Sequence, residues 1–139
     1  MFLNNLNNYS NIGLFILRIG IGVMFILHGY PKIMGGPEKW EALGGVMSMI
    51  GINYAPTFWG FMAAFAEFAG GILLVLGFLF RPACLLLLGT MAMATTMHVL
   101  KGDGFNDFSH ALEAGILFFS LIFIGPGTIS LDGKLMKKH

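Results

Sequence analysis

The chain carries four long apolar runs separated by short polar segments. They extend from about Ile12 to Ile33, Thr57 to Phe80, Ala83 to Leu100 and Phe108 to Ile124. Crossing ~30 Å of hydrocarbon takes about 20 residues of helix, and each run is close to that length. The pattern predicts an all-α, integral membrane four-helix bundle. One transmembrane domain is expected to cover residues 1–139.

A polar, glycine-rich segment follows the first run. Pro31 should kink or end the first helix, and Lys32 should reach for the membrane interface. Residues Glu38 to Ile50 can form a short amphipathic helix lying on the membrane surface, with Trp40 among the headgroups. Arg81–Pro82 predicts a tight turn between the second and third runs, with proline placed to begin the next helix.

The composition agrees with a membrane location. Hydrophobic residues make up 56% of the chain, charged residues 11%, and the mean hydropathy is +0.78. A soluble domain averages roughly 25% charged residues. Net charge is +1 with no basic stripe, so no nucleic-acid partner is expected. The single cysteine, Cys84, lies in an apolar run and is expected to be a small buried hydrophobe. The principal partner is therefore the lipid bilayer.

The location of basic residues indicates the orientation. The start of the chain lacks the basic leader of a secretory signal, so the first helix should remain in the mature protein. Four spans place both termini on one side, and basic residues in short loops mark the cytoplasmic side. The side of the termini carries Arg81, Lys134, Lys137 and Lys138; the opposite side carries Lys32, Lys39 and Lys101. This small excess favours cytoplasmic termini.

Two charged residues lie deep in the apolar runs. A charge at the bilayer centre costs ~2.5–3.5 kcal/mol, so such residues normally face the bundle interior and find partners. Arg18 lies roughly 9 Å from the inner end of its helix and Glu67 roughly 15 Å from the outer end of its own. We expect them to form an ion pair, which either shapes a site or only holds the two helices together. Small residues mark a packing face around Glu67: Gly60, Ala63, Ala64, Gly70 and Gly71.

A second polar group is predicted nearer the outer surface. Its members, by their heights along three helices, are His28, Lys32, His98, His110 and Glu113. Histidine titrates near neutrality and can donate to a carbonyl oxygen, so the layer could handle protons or bind a quinone. Imidazole and carboxylate could also hold a metal, although a single His-x-x-Glu pair fits the known di-metal bundles poorly. Each histidine could instead bind only water or headgroups.

These residues together resemble the DoxX family of small bacterial membrane proteins. The resemblance rests on three parts of the chain. In the first span it includes Leu17 to Phe25 and His28-Gly29-Tyr30-Pro31-Lys32, and in the second Glu67 to Gly71, Leu76-Gly77 and Arg81-Pro82. Toward the end of the chain it includes His98, Glu113, Gly125-Pro126-Gly127 and Ser130-Leu131-Asp132. It implies a bacterial inner-membrane bundle. Some relatives of this family belong to a thiosulfate:quinone oxidoreductase, and others accompany redox-stress systems. The residues that match the family's polar positions are Arg18, His28, Lys32, Glu67, His98 and Glu113.

Three functions follow as hypotheses. The first is a redox-linked subunit that binds a quinone or similar small molecule in the polar layer. The chain has no cysteine pair and no nucleotide motif, so catalysis would need an oxidoreductase partner subunit. The second is a component of a small-molecule or ion transporter or channel, for which four helices would need a homodimer. The third is a membrane scaffold that holds a partner enzyme.

Overall fold

A computed structural model describes residues 9–136, which form helices and connecting turns without a strand. The helices are α1 (Ser10–Ile33), α2 (Gly36–Gly44), a 3₁₀ helix (Gly45–Ile50), α3 (Pro56–Leu76), α4 (Phe80–Lys101), α5 (Phe105–Ile124) and α6 (Leu131–Met136). Helices α1, α3, α4 and α5 are long and apolar enough to cross a membrane. The predicted all-α, four-span architecture is confirmed. Lys137 and Lys138, which contributed to the predicted orientation, lie outside the described residues.

The boundary between the second and third spans differs from the prediction. Helix α3 ends at Leu76 because Gly77 adopts a left-handed backbone, with φ of 61°. Helix α4 then begins at Phe80, so the Arg81–Pro82 pair lies within its first turn and is not a separate turn. The carboxylate of Asp132 fixes this start, because it accepts the backbone amides of Leu79 and Phe80 at 3.1 and 2.9 Å.

The short helix predicted between the first two spans is present as α2, and it packs against α3. It runs antiparallel along the first half of α3, where Gly44 meets the backbone of Pro56 and Gly60 meets the backbone of Trp40. The ring of Trp40 packs edge-on against Phe61, with centroids 5.0 Å apart. Two facing glycines let the backbones approach so closely that α2 becomes part of the bundle.

A methyl group at Gly60 is expected to separate α2 from α3. Its Cβ would overlap the carbonyl oxygen of Trp40, which belongs to rigid backbone. We expect Gly60→Ala to lower the free energy of unfolding by about 1–3 kcal/mol, the usual cost of overpacking. Unfolding in mixed micelles measures the effect.

The expected destabilisation at Gly60 does not follow merely from placing alanine inside a helix. A methyl group at Gly20, also within a long helix, would meet no atom within 4 Å. Alanine is the better helix former there, so Gly20→Ala is the matched control and should be neutral or slightly stabilising. Equal stabilities of the two variants would contradict the close α2–α3 contact.

The bundle has two unlike ends, which we name by their connections. We call the end that residues 125–133 cover the tail end. The opposite end, which contains the turn Gly102–Gly104 and the 3₁₀ helix, is called the loop end. Consecutive long helices are antiparallel. The apolar core lies in the tail half and comprises Leu74, Phe80, Ala83, Cys84, Leu87, Met91, Phe118 and Leu121. Cys84 is buried there, as expected. Two cavities that polar side chains line in part lie toward the loop end.

Candidate functional site

Arg18 belongs to the packing of the tail end. Its side chain is 1% exposed and donates to four backbone carbonyl oxygens. These are the carbonyls of Leu74 (3.1 Å), Val75 (3.1 Å), Pro126 (2.6 Å) and Ile129 (2.8 Å). The first two lie in the last turn of α3, where carbonyls lack their usual helical partners and that of Leu74 otherwise accepts only the amide of Gly77 among the described residues. Arg18 thereby joins α1, the end of α3 and the tail.

The predicted ion pair between Arg18 and Glu67 is wrong. Glu67 precedes Leu74 by seven residues, or ~10 Å along α3, so Arg18 meets the end of α3 and not Glu67. The partner of Glu67 is Lys32, whose Nζ lies 2.7 and 2.6 Å from the two carboxylate oxygens. Glu67 is 4% exposed, as the small residues around it predicted.

The local fold brings Lys32 to this depth. Helix α1 continues through Pro31 and ends at Ile33, so Lys32 belongs to its last turn. The backbone carbonyl of Lys32 accepts the indole Nε1 of Trp40 at 3.0 Å. Gly29 meets the backbone of Phe68, which brings α1 against α3 beside Glu67. Lys32 therefore turns inward instead of reaching for the interface.

One cavity, of about 290 Å³, lies among α2, the 3₁₀ helix, α3 and α4; we call it the α2–α4 cavity. The Lys32–Glu67 pair forms part of its wall, together with His98 and Trp59. The remaining wall is mainly apolar and consists of Leu43, Gly44, Val46, Met47, Ala63, Thr90, Met93, Ala94 and Met97. A mostly apolar cavity with a few converging polar groups is typical of a small-molecule site.

Two polar side chains in this wall differ in their hydrogen bonding. Nδ1 of His98 lies 2.7 Å from the carboxylate of Asp103, which orients the ring at the loop end. The indole Nε1 of Trp59 is buried and has no hydrogen-bond partner among residues 9–136. A buried donor without a partner is costly, and because this atom has almost no accessible surface, a ligand acceptor would reach it only after a small turn of the ring.

A second cavity, of about 440 Å³, lies between α1, α4 and α5; we call it the α1–α5 cavity. His28, Asp107 and His110 line it, and its wall again includes Lys32 and Glu67. Asp107 also accepts the backbone amide of Gly104 at 3.0 Å, which caps the start of α5. The two cavities meet at the Lys32–Glu67 pair.

The structure thus divides the predicted polar layer. His28 and His110 line the α1–α5 cavity, His98 lines the α2–α4 cavity, and Lys32 belongs to both. Glu113 is exposed and lines neither. Within residues 9–136, no three His, Cys, Asp or Glu side chains lie close enough to hold one metal ion.

Sequence reasoning did not identify Trp59 or Asp107. Trp59, Ala63 and Glu67 recur at spacings of four, which places them on one helix face and could have indicated the indole. Asp107 carries no separate signal in the sequence, because an aspartate that caps Gly104 at the start of a helix has a sufficient local role.

Comparison with known proteins agrees with this architecture. The DoxX family matches residues 13–99. An uncharacterized protein of Haemophilus influenzae is 37% identical over 98% of this chain and 100% of its own length. Inner membrane protein YphA of Escherichia coli is 34% identical, covering 87% of this chain and 89% of YphA. The Bacillus subtilis protein named "Putative oxidoreductase CatD" is 28% identical, covering 95% of this chain and 93% of CatD. No solved structure matches this chain. With four spans and a family match over more than half its length, the chain is a multi-pass membrane protein of the DoxX family.

Proposed function

We propose that this protein binds a quinone headgroup in the α2–α4 cavity and serves a redox system of the bacterial inner membrane. One observation carries the proposal. An apolar cavity in the loop half of the bundle is lined by the buried Glu67 carboxylate with its Lys32 ammonium, by the imidazole of His98 and by Trp59, whose indole N–H is unpartnered within residues 9–136. With cytoplasmic termini, this half faces the outer side of the membrane.

The side chains suit a flat ligand that carries carbonyl oxygens. The indole Nε1 of Trp59 and the ammonium of Lys32 are donors, and His98 can donate from its other ring nitrogen. The methionines of α4 and the residues of α2 supply adaptable apolar contact for a ring. A volume of about 290 Å³ lies near the lower limit of ligand sites, roughly 300 Å³, and suits a headgroup whose isoprenoid tail remains in lipid.

The relatives support the setting of this proposal. YphA is named as an inner membrane protein, and CatD carries oxidoreductase in its name. The quinone would supply the redox chemistry, while the chain's own residues bind and orient it. Electrons would come from a partner subunit, because the chain has one cysteine, buried at Cys84, and no pair for thiol redox chemistry.

The packing weighs against the transporter alternative. Both cavities lie toward the loop end, whereas the tail half holds the fully buried Leu74, Phe80, Phe118 and Leu121. The guanidinium of Arg18 ties the tail across that end. A continuous path through one bundle would require this core to open, at a cost that a packed interior makes large.

Quinone binding is expected to depend on the polar wall of the α2–α4 cavity. Trp59→Phe removes the indole donor and His98→Leu removes the imidazole, each with little change in shape. Each variant should weaken binding of a short-chain ubiquinone or menaquinone analogue by about tenfold, or ~1.4 kcal/mol. Quenching of tryptophan fluorescence in nanodiscs measures quinone binding. For the Trp59→Phe variant, displacement of a labelled quinone measures binding instead.

The control for this experiment is Glu113→Gln. Glu113 is exposed and lines neither cavity, so its variant should bind like the wild type. If Glu113→Gln lost binding while the cavity variants kept it, the site would lie on the face of α5 that the sequence first indicated. Wild-type protein that binds neither quinone class would rule out the proposed function.

A further inference from the structure

The α1–α5 cavity has no part in the ligand binding proposed above. It is the larger of the two polar cavities, about 440 Å³ against 290 Å³. Three residues from three helices line both cavities: Lys32, Glu67 and Ala94. A ligand in the α2–α4 cavity and the contents of the α1–α5 cavity would therefore contact opposite sides of one ion pair.

The polar groups of the α1–α5 cavity extend from the bundle surface to its interior. Asp107 and His110 lie exposed in the first turns of α5, at the loop end. His28, which is also exposed, lies on α1 one turn before Lys32. Glu67 is 4% exposed and lies at the inner side of this series. Two of these groups are imidazoles, and an imidazole can accept a proton at one ring nitrogen and release one from the other.

We propose that the α1–α5 cavity is water-filled and is the route by which Glu67 exchanges protons with solution at the loop end. A proton entering from water passes the imidazoles of His110 and His28 and binds a carboxylate oxygen of Glu67. The ammonium of Lys32 is then free to bind an oxygen of a ligand in the other cavity. No electron moves in this step. The inference rests on the proposed function for the identity of that ligand, but the route itself requires none.

The route must be distinguished from an opening to lipid. Met24 lines the same cavity and is exposed, and the α4–α5 groove on the neighbouring face is almost wholly apolar. Water and acyl chains differ in their effect on a thiol, because the reactive thiolate forms readily only in water and a charged reagent does not enter acyl chains. A cysteine placed in the wall therefore reports which of the two fills the cavity.

The test compares two cysteine variants of one helix in liposomes, without quinone. Ala114 lines the α1–α5 cavity, and Ile116 lines the apolar groove although it is 59% exposed. We expect a cationic, membrane-impermeant methanethiosulfonate to modify Ala114→Cys at least about tenfold faster than Ile116→Cys. The wild type is the blank, because its one cysteine, Cys84, is buried. Equal rates, or modification of Ala114→Cys only by an apolar maleimide, would overturn the proposal.

A second measurement asks whether this route reaches Glu67. A water-soluble carbodiimide activates the carboxyl of Glu67, and the amine of Lys32 displaces the urea, so an amide forms with net loss of one water. The two groups are already 2.6 Å apart, and peptide mass spectrometry detects the product. Prior modification of Ala114→Cys should slow this reaction by about fivefold or more, since it fills the aqueous path to a buried carboxyl.

The control for the second measurement is Ala63→Cys, which lines only the α2–α4 cavity. Its modification should leave the carbodiimide reaction unchanged. The reverse result, slowing by Ala63→Cys and not by Ala114→Cys, would show that Glu67 is reached through the ligand cavity and would overturn the inference. Failure of quinone binding alone leaves both measurements intact, so the two proposals fail independently.

Discussion

Replacement of Arg18 by methionine is expected to lower the free energy of unfolding by roughly 4 kcal/mol or more. Four carbonyl oxygens would lose a hydrogen bond, although that of Leu74 would keep the amide of Gly77, and each buried group left unsatisfied costs about 1–3 kcal/mol. Since proteins of this size are stable by only ~5–15 kcal/mol, this loss would release the tail segment or unfold the chain. Unfolding in mixed micelles, with proteolysis of the tail as a second measure, tests the prediction.

Two further substitutions show what Arg18 does. Arg18→Lys keeps the charge but cannot reach four carbonyls with one ammonium, so its stability should lie between wild type and methionine. Arg81→Met is the control for loss of a cation at the same end, because Arg81 is exposed and its Nε bonds only the carbonyl of Ile122. We expect a change of about 1 kcal/mol or less there. If Arg18→Met matched Arg81→Met, the carbonyl network would contribute little.

The spans were predictable because their signal is local. A run of about 20 apolar residues has few alternatives to a membrane helix, and the end of the last span at Ile124 agreed with the prediction. The boundary at Gly77 was missed because the apolar run continues past this glycine to Phe80. Asp132 caps α4 from far along the chain, and the left-handed turn at Gly77 becomes evident only once α4 is placed.

The partners of the buried charges were less predictable. Arg18 is satisfied by backbone carbonyls, which every residue carries and which leave no trace in a sequence. Lys32 was assigned to the interface because it follows Pro31 near the end of the first span, and the predicted end of that span at Ile33 agrees with α1. The four-residue spacing of His28 and Lys32 did indicate a shared region, and both line the α1–α5 cavity.

The division of the polar residues between two cavities could not be inferred from their heights along the helices alone. Residues at one depth in a bundle face different gaps according to the rotation of each helix. His98 and His110 were expected in one layer, yet they line different cavities on the two sides of Glu67. Rotation depends on close contacts such as that of Gly29 with Phe68, which the sequence does not specify.

Removing one partner of the Lys32–Glu67 ion pair is expected to lower the free energy of unfolding more than removing both partners. Lys32→Met leaves the carboxylate of Glu67 buried without a counter-charge, and such a loss typically costs ~3–5 kcal/mol. The cost here should lie at the low end, because Lys32 is partly exposed and water can reach the pair. Unfolding of the variant in mixed micelles, with Lys39→Met as the control for loss of an exposed lysine, measures it.

The double variant Lys32→Met/Glu67→Leu completes the cycle and separates two roles of the pair. It leaves no buried charge, so it should be more stable than Lys32→Met alone. A double variant less stable than the single would contradict the pairing. If the pair only joins α1 to α3, the double variant will still bind quinone like the wild type. If the pair is the polar centre of the ligand cavity, the double variant will be folded and unable to bind. We expect the second result, because Lys32 is a donor and Glu67 a buried acceptor in the wall that encloses the ligand.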